Sequence, residues 1–395
     1  MYTTNLVVKV ASRCNLNCTY CYVYNMGDNS YKLQPKFMSI QTIKKTFERI
    51  KSHCLNNGLK NFLIIFHGGE PLLAGLDFYR NFIKIGNDIL QDEIRIDYGM
   101  QTNGVLLDYS LASELKKLNI QVGISIDGTE VSNNKNRIFH NNKGSYKEII
   151  NGFNIIKEVY GDKFANCLCV IDVNESPSDV YNHFKQIGAS NVHFLFPDSN
   201  FKNSSYEDIP KVGEWLVLMF DLWYKDTDLI KPSIRPLSDL IGLILGYEKY
   251  SEIFGKGKNY TLVIETNGDI ETVDTLKICG DGFTKTKFNV VSNEFDEIYE
   301  SSKLAQEYFN GHENLCKTCK NCFLEDICGG GFIGHRYSVE NEFNNPSIYC
   351  RQIALLICHI QNQIILNLPT EVIANTNIQK LNYEEVIENI QNCYY

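Results

Sequence analysis

The first two hundred residues alternate between short β-rich runs and amphipathic helical stretches, and this alternation restricts the fold more than any other feature of the sequence. The predicted strands are Asn5–Ala11, Asn61–Phe66, Ile94–Met100, Gln121–Ile126, Cys167–Ile171 and Asn191–Phe196. Behind the predicted N-cap Ser39, one helical stretch places four apolar residues on one face: Ile40, Ile43, Phe47 and Ile50. Strands that alternate with helices at this spacing pair in parallel, so the predicted fold class is α/β, either a barrel or a doubly wound sheet.

The composition and charge of the chain are those of a globular protein that binds neither membranes nor nucleic acids. Of its 395 residues, 44% are hydrophobic and 22% are charged, and the formal net charge is −9 with no basic stripe. No apolar run approaches the ~18 residues that span a bilayer, and the N-terminus has no signal-peptide core. We therefore expect a cytoplasmic protein whose partner is a peptide or a small molecule.

The fourteen cysteines are grouped rather than scattered. Cys14, Cys18 and Cys21 lie near the N-terminus, and the second group contains Cys316, Cys319, Cys322 and Cys328. In a reducing cytosol, grouped cysteines indicate metal ligation or redox chemistry rather than disulfides. Five others show no ligand spacing and are interpreted as small buried hydrophobes: Cys54, Cys167, Cys169, Cys358 and Cys393.

The N-terminal group follows the first predicted strand with the spacing C-x3-C-x2-C. Three thiolates on one loop can bind three irons of a 4Fe–4S cluster and leave the fourth iron open for a substrate or cofactor. Zinc is one alternative, although structural zinc normally takes four ligands and this loop offers three. Chance clustering is the other alternative at this stage.

This motif, with Tyr20 before its third cysteine, resembles the signature of the radical S-adenosylmethionine (SAM) superfamily. The resemblance implies a 4Fe–4S cluster on Cys14, Cys18 and Cys21 whose open iron is chelated by SAM. It implies cleavage of SAM to a 5′-deoxyadenosyl radical, with an electron donor such as flavodoxin or ferredoxin. It also implies that Tyr20 lies near the adenine, in a partial parallel (β/α)6 barrel.

Three more polar motifs directly follow predicted strands, where parallel sheets bind their ligands. The segment His67-Gly68-Gly69-Glu70-Pro71 resembles the family's GGE motif, which implies that Glu70 accepts a hydrogen bond from the SAM amine. The segments after the third and fourth strands resemble those that bind the SAM ribose and carboxylate, and Arg137 matches an arginine that often follows them. The residues implied to bind SAM are Tyr20, Gly68, Gly69, Glu70, Thr102, Asn103, Ser125, Asp127 and Arg137.

Ordinary turn chemistry is the alternative explanation for each of these motifs taken alone. Glycine-rich, Asn-Gly and Asp-Gly turns are common between strands and helices, and Arg137 could equally be a solvated surface residue. Their order is more informative, because patterns that follow successive parallel strands would all face one rim of a barrel.

The C-terminal spacing Cys319-x2-Cys322-x5-Cys328, with Cys350 further on, resembles the SPASM extension of peptide-modifying radical SAM enzymes. The resemblance implies one auxiliary 4Fe–4S cluster held by these four cysteines, with Cys316 as a spare thiol. Four thiolates would satisfy zinc equally well, so a zinc site is the alternative here.

The sequence departs from the fuller SPASM pattern at Phe332 and Val273, which stand where other members have cysteines. Neither side chain can ligate iron, so a second auxiliary cluster is predicted to be absent, despite Cys279 nearby. Asp274 takes the position where related enzymes place a catalytic base, and an exposed turn aspartate is the alternative.

Three segments resemble most closely the cyclophane-forming peptide maturases of the radical SAM/SPASM class: KVASRCNLNCTYCYVYN, HGGEPLLAG and CGGGFIGHRYSVENEFNNPSIYC. The resemblance implies an oxidoreductase that joins an aromatic ring to a β-carbon in a ribosomally made precursor peptide. Two alternatives stay open. One is another maturase activity on the same scaffold: thioether formation, epimerisation or formylglycine-type oxidation. The other is a non-catalytic zinc or cluster module that binds a peptide.

The motifs divide the chain into four predicted segments. They are a radical SAM core barrel over 1–225, a helical connection over 226–260, a SPASM-like auxiliary cluster domain over 261–362 and a C-terminal helical tail over 363–395. A strand-like run at Tyr260–Glu265, followed by a turn, opens the third segment.

Overall fold

The computed structural model describes residues 2–204, 207–248, 251–369, 371, 373 and 378–392. The chain forms two compact units, each assembled from separate stretches of the sequence. The first unit comprises 1–170, 188–192 and 260–309, and the second comprises 171–187, 193–259 and 310–395. Because this division follows spatial contacts rather than chain order, the four sequence segments stay a prediction.

The strands of the described residues include all six that the sequence predicts. In chain order they are β1 (Asn5–Ala11), β2 (Asn61–Gly68), β3 (Arg95–Thr102), β4 (Ile120–Ser125), β5 (Asn166–Val170), β6 (Asn191–Leu195), β7 (Ser233–Ile234), β8 (Thr261–Ile264) and β9 (Ile270–Glu271). Within the first unit their order is β5-β4-β3-β2-β1-β8-β9. Only β8 and β9 pair antiparallel in this order, so the predicted parallel α/β fold is confirmed.

Helices follow the strands along the chain, as the alternation predicts. The α-helices of the described residues are α1 (Ile40–Asn57), α2 (Leu76–Leu90), α3 (Tyr109–Lys117), α4 (Glu130–Asn136), α5 (Tyr146–Tyr160), α6 (Pro177–Ile187), α7 (Ile209–Lys225), α8 (Arg235–Ile244), α9 (Phe295–Ser301), α10 (Lys303–Phe309), α11 (Lys317–Lys320), α12 (Glu325–Cys328), α13 (Cys350–Asn367) and α14 (Tyr383–Asn392). Short 3-10 helices lie at Ser30–Leu33, Pro71–Ala74, Asp162–Phe164, Asp274–Cys279 and Ile333–Arg336.

Helix α1 forms where its capping and periodicity predict it. The Ser39 side chain accepts a hydrogen bond from the Thr42 amide at 3.0 Å, which satisfies one of the unpaired amides of the first turn. Ile43, Phe47 and Ile50 are buried, as expected from their spacing, but Ile40 is 56% exposed. Ile40 differs because it is the first residue of the helix and lies at the edge of the buried stripe.

An aromatic cluster packs α2 against the central strands. The Phe66 ring lies 4.9 Å from that of Phe82 and 5.0 Å from that of Tyr79, both with edge-on geometry that favours aromatic pairs. Tyr98, on the neighbouring strand β3, stacks on Phe66 at 5.7 Å. These contacts fix the carboxyl end of β2, which carries the glycine motif.

The second unit is built around α13, which packs against α7, α8 and α14. The predicted helical connection over 226–260 contains α8, which begins at Arg235 and has Pro236 in its first turn, where a missing amide costs nothing. The predicted helical tail contains α14, although part of it lies outside the described residues. No helix of the described part of the chain is both long enough and apolar enough to span a bilayer.

A single methyl group at Gly152 should destabilise the first unit. A Cβ there would lie 2.2 Å from the carbonyl oxygen of Gly104, in the turn after β3, and neither backbone can move easily. We expect Gly152→Ala to lower the free energy of unfolding by about 1–3 kcal/mol in urea denaturation. Gly99→Ala is the matched control, since its Cβ would meet only Ile65 at 3.8 Å. Equal stability of the two variants would contradict this prediction.

Candidate active site and auxiliary cysteine cluster

The cysteine loop after β1 is fixed by the glycines that follow β2. The Gly69 amide donates to the Ala11 carbonyl at 2.8 Å, and the Glu70 amide donates to the Arg13 carbonyl at 2.9 Å. A Cβ on Gly68 would lie 2.1 Å from the Ala11 oxygen, and one on Gly69 would lie 2.3 Å from the Arg13 oxygen. The glycines therefore let the end of β2 approach the residues that precede Cys14.

The three N-terminal thiols lie in surroundings that suit thiolate ligands. Backbone amides donate hydrogen bonds to two of the sulfurs, from Leu16 to Cys14 Sγ at 3.4 Å and from Val23 and Tyr24 to Cys21. Burial raises the pKa of all three free thiols, that of Cys18 to about 11. Metal binding must therefore displace protons here, and the amides then stabilise the resulting charge.

Among the described residues, no group of three or more His, Cys, Asp or Glu side chains has the arrangement that holds a single metal ion. A four-iron cluster differs from a single ion because each thiolate binds a different iron. Three thiols from one loop, with amides directed at their sulfurs, are a donor set that fits such a cluster.

Glu70 connects the ends of β2 and β3. Its Oε1 accepts hydrogen bonds from the Leu72 amide at 3.0 Å and the Thr102 hydroxyl at 2.5 Å, and its Oε2 accepts one from the Asn103 amide at 2.9 Å. Asn103 Nδ2 in turn donates to Asn15 Oδ1 at 2.8 Å, next to Cys14. The structure thus gathers Glu70, Thr102 and Asn103 beside the cysteine loop, with the carboxylate already engaged by three protein donors.

A second group forms around Asp127. Its Oδ2 accepts a hydrogen bond from the Tyr20 hydroxyl and lies 3.0 Å from Arg137 Nε. Arg137 is buried, and its guanidinium carbon lies 5.7 Å from the centre of the Tyr20 ring. Arg137 is therefore not a solvated surface residue. Its positive charge also favours the thiolate form of Cys18.

Ser125 does not join either group. Its hydroxyl accepts a hydrogen bond from Gln101 Nε2 at 2.8 Å, between the neighbouring strands β3 and β4. The structure therefore places eight of the nine residues proposed to bind SAM around the cysteine loop and its two polar groups. Their roles toward SAM stay a prediction.

Asp274 is buried, with only 5% of its surface exposed, and is not an exposed turn residue. Three neighbours converge on its Oδ2: Lys9 Nζ at 2.8 Å, the Tyr22 hydroxyl at 2.9 Å and His67 Nδ1 at 3.8 Å. Burial opposes ionisation of the carboxyl, but Lys9, His67 and the Tyr22 hydroxyl together outweigh it and hold the pKa of Asp274 below its usual range. Asp274 is therefore held as a carboxylate.

A second buried lysine extends this charged network. Lys277 Nζ lies 3.1 Å from Glu271 Oε2 and 3.3 Å from Glu265 Oε1, and Glu265 also lies 3.7 Å from Lys9 Nζ. Neither Lys9 nor Lys277 is among the residues for which the sequence predicts a role. The position of Lys9 inside an otherwise apolar strand could have indicated a buried acidic partner, because a buried charge needs one.

The C-terminal cysteines converge within the second unit. Burial raises the pKa of Cys328 and Cys350, and both lie close enough to other thiols of the group for these to raise it further. The pKa of Cys319 is raised by its hydrogen bond with Cys316, then by burial and by the nearby thiols of Cys328 and Cys350. Cys316 belongs to the same group, because its thiol shares a hydrogen bond with that of Cys319. That hydrogen bond lowers the pKa of Cys316 and raises that of Cys319.

Backbone amides and one buried cation face these thiols. The Leu324 amide donates to Cys322 Sγ at 3.4 Å, and the amides of Gly330 and Gly331 donate to Cys328. The guanidinium of Arg336, only 1% exposed, favours the thiolate forms of Cys316 and Cys328. This donor set suits an anionic iron–sulfur cluster.

The positions that depart from the fuller SPASM pattern are filled by apolar packing. Phe332 is 7% exposed and Val273 is 6% exposed. Cys279 is buried in the first unit, whereas the four proposed ligands belong to the second. The absence of a second auxiliary cluster stays a prediction.

The chain is similar to known proteins in both sequence and fold. The profile of the radical SAM superfamily matches residues 8–184. The cysteine-type anaerobic sulfatase-maturating enzyme of Clostridium novyi is 30% identical over 364 residues, which cover 89% of this chain and 93% of that one. The serine-type enzyme of Bacteroides thetaiotaomicron is 27% identical over 354 residues, covering 84% and 83%. The solved structure of native anSMEcpe with bound AdoMet and Cp18Cys peptide has the same fold, with a TM-score of 0.76, 23% identity and coverage of 92% and 98%.

The fold and the cysteine loop define a radical SAM enzyme. Within that superfamily, the chain belongs to the same family as the anaerobic sulfatase-maturating enzymes. Its cofactors are SAM, a SAM-binding 4Fe–4S cluster and an auxiliary iron–sulfur cluster. Which side chains hold each of them stays a prediction.

A methyl group at Gly69 should displace the cysteine loop. Its Cβ would lie 2.1 Å from the Tyr24 hydroxyl and 2.3 Å from the Arg13 carbonyl, immediately before Cys14. After anaerobic reconstitution, we expect Gly69→Ala to lose most of the spectral change that SAM produces in wild type. Gly99→Ala, in the same sheet, should keep it. A Gly69→Ala protein with wild-type iron content and SAM response would contradict this expectation.

Proposed function

We propose that this enzyme oxidises a cysteine or serine side chain of a peptide or protein to formylglycine. The observation that carries the proposal is similarity over nearly the whole chain to enzymes named as cysteine-type and serine-type sulfatase maturases. The peptide bound to anSMEcpe supports a peptide substrate. These relatives favour formylglycine-type oxidation over the cyclophane crosslink that the motif blocks alone suggested.

The residues of the first unit divide the tasks of this reaction. When bound, the SAM-binding cluster and SAM supply a 5′-deoxyadenosyl radical that removes one hydrogen atom from the substrate Cβ. We assign Cys14, Cys18 and Cys21 to the cluster, and the groups around Glu70 and Asp127 to SAM. Because Tyr20, Asp127 and Arg137 hold one another, they would present a fixed surface to the cofactor.

The remaining step removes a proton and an electron from the substrate. The buried group around Asp274 would take the proton from the substrate sulfur or oxygen, and an auxiliary cluster held by the C-terminal cysteines would take the electron. Carbon and oxygen, or carbon and sulfur, are then joined by a double bond. With sulfur, water replaces it and hydrogen sulfide is released, so serine and cysteine give the same aldehyde.

We assign Cys319, Cys322, Cys328 and Cys350 to the auxiliary cluster, with Cys316 as a neighbouring thiol. Amides and Arg336 directed at these sulfurs stabilise added negative charge, which suits a site that accepts an electron. A separate donor such as flavodoxin or ferredoxin would supply the electron that cleaves SAM.

Aldehyde formation tests the proposal directly. Reconstituted enzyme, SAM and a chemical reductant should convert the Cp18Cys peptide, and a matched peptide with serine instead of cysteine, to products that react with hydroxylamine. Mass spectrometry should show that sulfur and two hydrogens are replaced by oxygen in the first peptide, and that two hydrogens are lost from the second. Each product should accompany one 5′-deoxyadenosine.

Cys14→Ala is the control, because it should release neither 5′-deoxyadenosine nor aldehyde. Loss of two hydrogens without hydroxylamine reactivity would indicate a crosslink instead. Unmodified peptides accompanied by 5′-deoxyadenosine release would also contradict formylglycine formation.

SAM affinity should depend on the ionisation of Glu70. Burial raises the pKa of Glu70 to about 6, despite the hydrogen bonds from Thr102 and Asn103 that lower it. A carboxylate attracts the SAM amine and a neutral carboxyl does not, so affinity should fall about tenfold per pH unit below 6. Equilibrium binding between pH 5 and pH 8 measures this effect.

Glu70→Gln is the matched variant, because it keeps the side-chain size and removes the charge. It should bind SAM weakly throughout this range, with no break near pH 6. If the affinity of the wild-type enzyme for SAM did not change with pH, Glu70 would be excluded as the partner of the SAM amine.

A further inference from the structure

The Tyr24 hydroxyl is a buried polar group at the edge of the cysteine loop. Tyr24 lies three residues after Cys21, and its backbone amide donates to the Cys21 carbonyl at 3.2 Å. Its side-chain Oη is buried and has no hydrogen-bond partner among the described residues. A buried hydroxyl that bonds to nothing destabilises a protein, so a group of this kind calls for a partner such as a ligand, an ion or a water molecule.

The hydroxyl lies where the glycine turn after β2 meets the cysteine loop. A Cβ on Gly69 would lie 2.1 Å from Tyr24 Oη and 2.3 Å from the carbonyl oxygen of Arg13, the residue directly before Cys14. The Tyr24 ring is held from the side by Tyr31, with the ring centres 4.7 Å apart and an edge-on angle of 84°. Because Gly69 has no side chain, the hydroxyl can occupy this place.

Two of the three thiols assigned to the SAM-binding cluster lie near this hydroxyl. Burial raises the pKa of Tyr24, and the nearby thiols of Cys14 and Cys21 raise it further. The phenol therefore keeps its proton and can donate a hydrogen bond to an anionic partner. The amides of Leu16, Val23 and Tyr24 already donate to the sulfurs of the same two cysteines, so the hydroxyl would be a further donor beside them.

We propose that Tyr24 Oη donates a hydrogen bond to a sulfur of the SAM-binding 4Fe–4S cluster, and that this bond raises the reduction potential of the cluster. The acceptor is a cysteine thiolate or an inorganic sulfide. Hydrogen bonds to these sulfurs stabilise the reduced cluster, which carries more negative charge. A higher potential lets a weaker electron donor reduce the cluster. The inference rests on the assignment of the cysteine loop to this cluster under the proposed function, and it holds for any peptide that the enzyme oxidises.

The midpoint potential of the N-terminal cluster tests the proposal in the full chain. Its EPR signal is the one that Cys14→Ala lacks, so it can be titrated separately from that of the auxiliary cluster, before SAM is added. In Tyr24→Phe, the equilibrium constant for one-electron reduction should fall about tenfold, which places the midpoint about 59 mV lower. The iron content should equal that of wild type.

Tyr98→Phe is the matched control. The Tyr98 hydroxyl is also buried without a hydrogen-bond partner in the described part of the chain, and it belongs to the same unit. Burial alone raises the pKa of Tyr98, with no contribution from a cysteine. Removal of this hydroxyl should therefore leave the midpoint potential of the N-terminal cluster unchanged.

Two further measurements do not depend on the loss of the hydroxyl alone. Replacement of Tyr24 by 3-fluorotyrosine keeps the hydroxyl and makes it a stronger donor, so the midpoint should rise. After exchange into D2O, pulsed EPR of the N-terminal cluster should show a deuteron coupling in wild type and Tyr98→Phe that Tyr24→Phe lacks. If Tyr24→Phe takes up no cluster, the fluorotyrosine variant decides.

The outcomes separate this inference from the function on which it rests. An unchanged midpoint in Tyr24→Phe, an equal shift in Tyr98→Phe or a lower midpoint with 3-fluorotyrosine would overturn the inference alone. A shift that appears only after SAM is added would assign the hydroxyl to SAM and overturn it as well. A Cys14→Ala protein with every wild-type EPR signal would overturn the assignment of the cysteine loop. The expected shifts in an enzyme that forms no aldehyde would overturn formylglycine formation alone.

Discussion

Two backbone hydrogen bonds between the end of β2 and the loop after β1 are the contacts on which the rest of the N-terminal site depends. They hold Arg13 and Ala11 against Gly69 and Glu70, so the first thiol and the Glu70 carboxylate keep a fixed relation. Glu70 then holds the end of β3, and Asn103 returns from β3 to the cysteine loop through Asn15. These contacts link the cysteine loop to the end of β2, the end of β2 to that of β3, and the end of β3 back to the cysteine loop. They explain why the motifs that follow β1, β2 and β3 lie together.

Much of the fold follows from local sequence patterns. Apolar periodicity and the Ser39 cap define α1, and alternation of strands and helices predicts the parallel sheet, because both signals act within a few neighbouring residues. The cysteine loop and the groups around Glu70 and Asp127 could also be predicted, since each follows a predicted strand. The pairing of β8 with β1 could not be predicted, because strand order is decided by packing between distant segments.

Because the pairing of β8 with β1 was not predicted, the charged network around Lys9 and Asp274 could not be predicted from the sequence either. Asp274 meets Lys9 and Tyr22 only because β8 and the segment after β9 lie beside the first strand; Tyr22 and Asp274 are 252 positions apart. The local sequence pattern predicted that Asp274 lies in a turn, but it did not indicate whether the side chain is buried. A lysine inside an apolar strand predicts that a carboxylate lies nearby, but it does not identify which carboxylate.

The three glycines after Cys328 carry a consequence for stability. Gly329, Gly330 and Gly331 have φ angles of 62°, 81° and 69°, a region that disfavours side chains, and a Cβ on Gly329 would also lie 1.9 Å from the Gly255 oxygen. Glycine loses more backbone entropy on folding than other residues, about 0.5–1 kcal/mol each. This stretch therefore opposes folding of the second unit, and the packing around α13 must offset it. Replacing these three glycines would reduce the loss of backbone entropy on folding, but their left-handed backbone conformation disfavours any other residue at these positions.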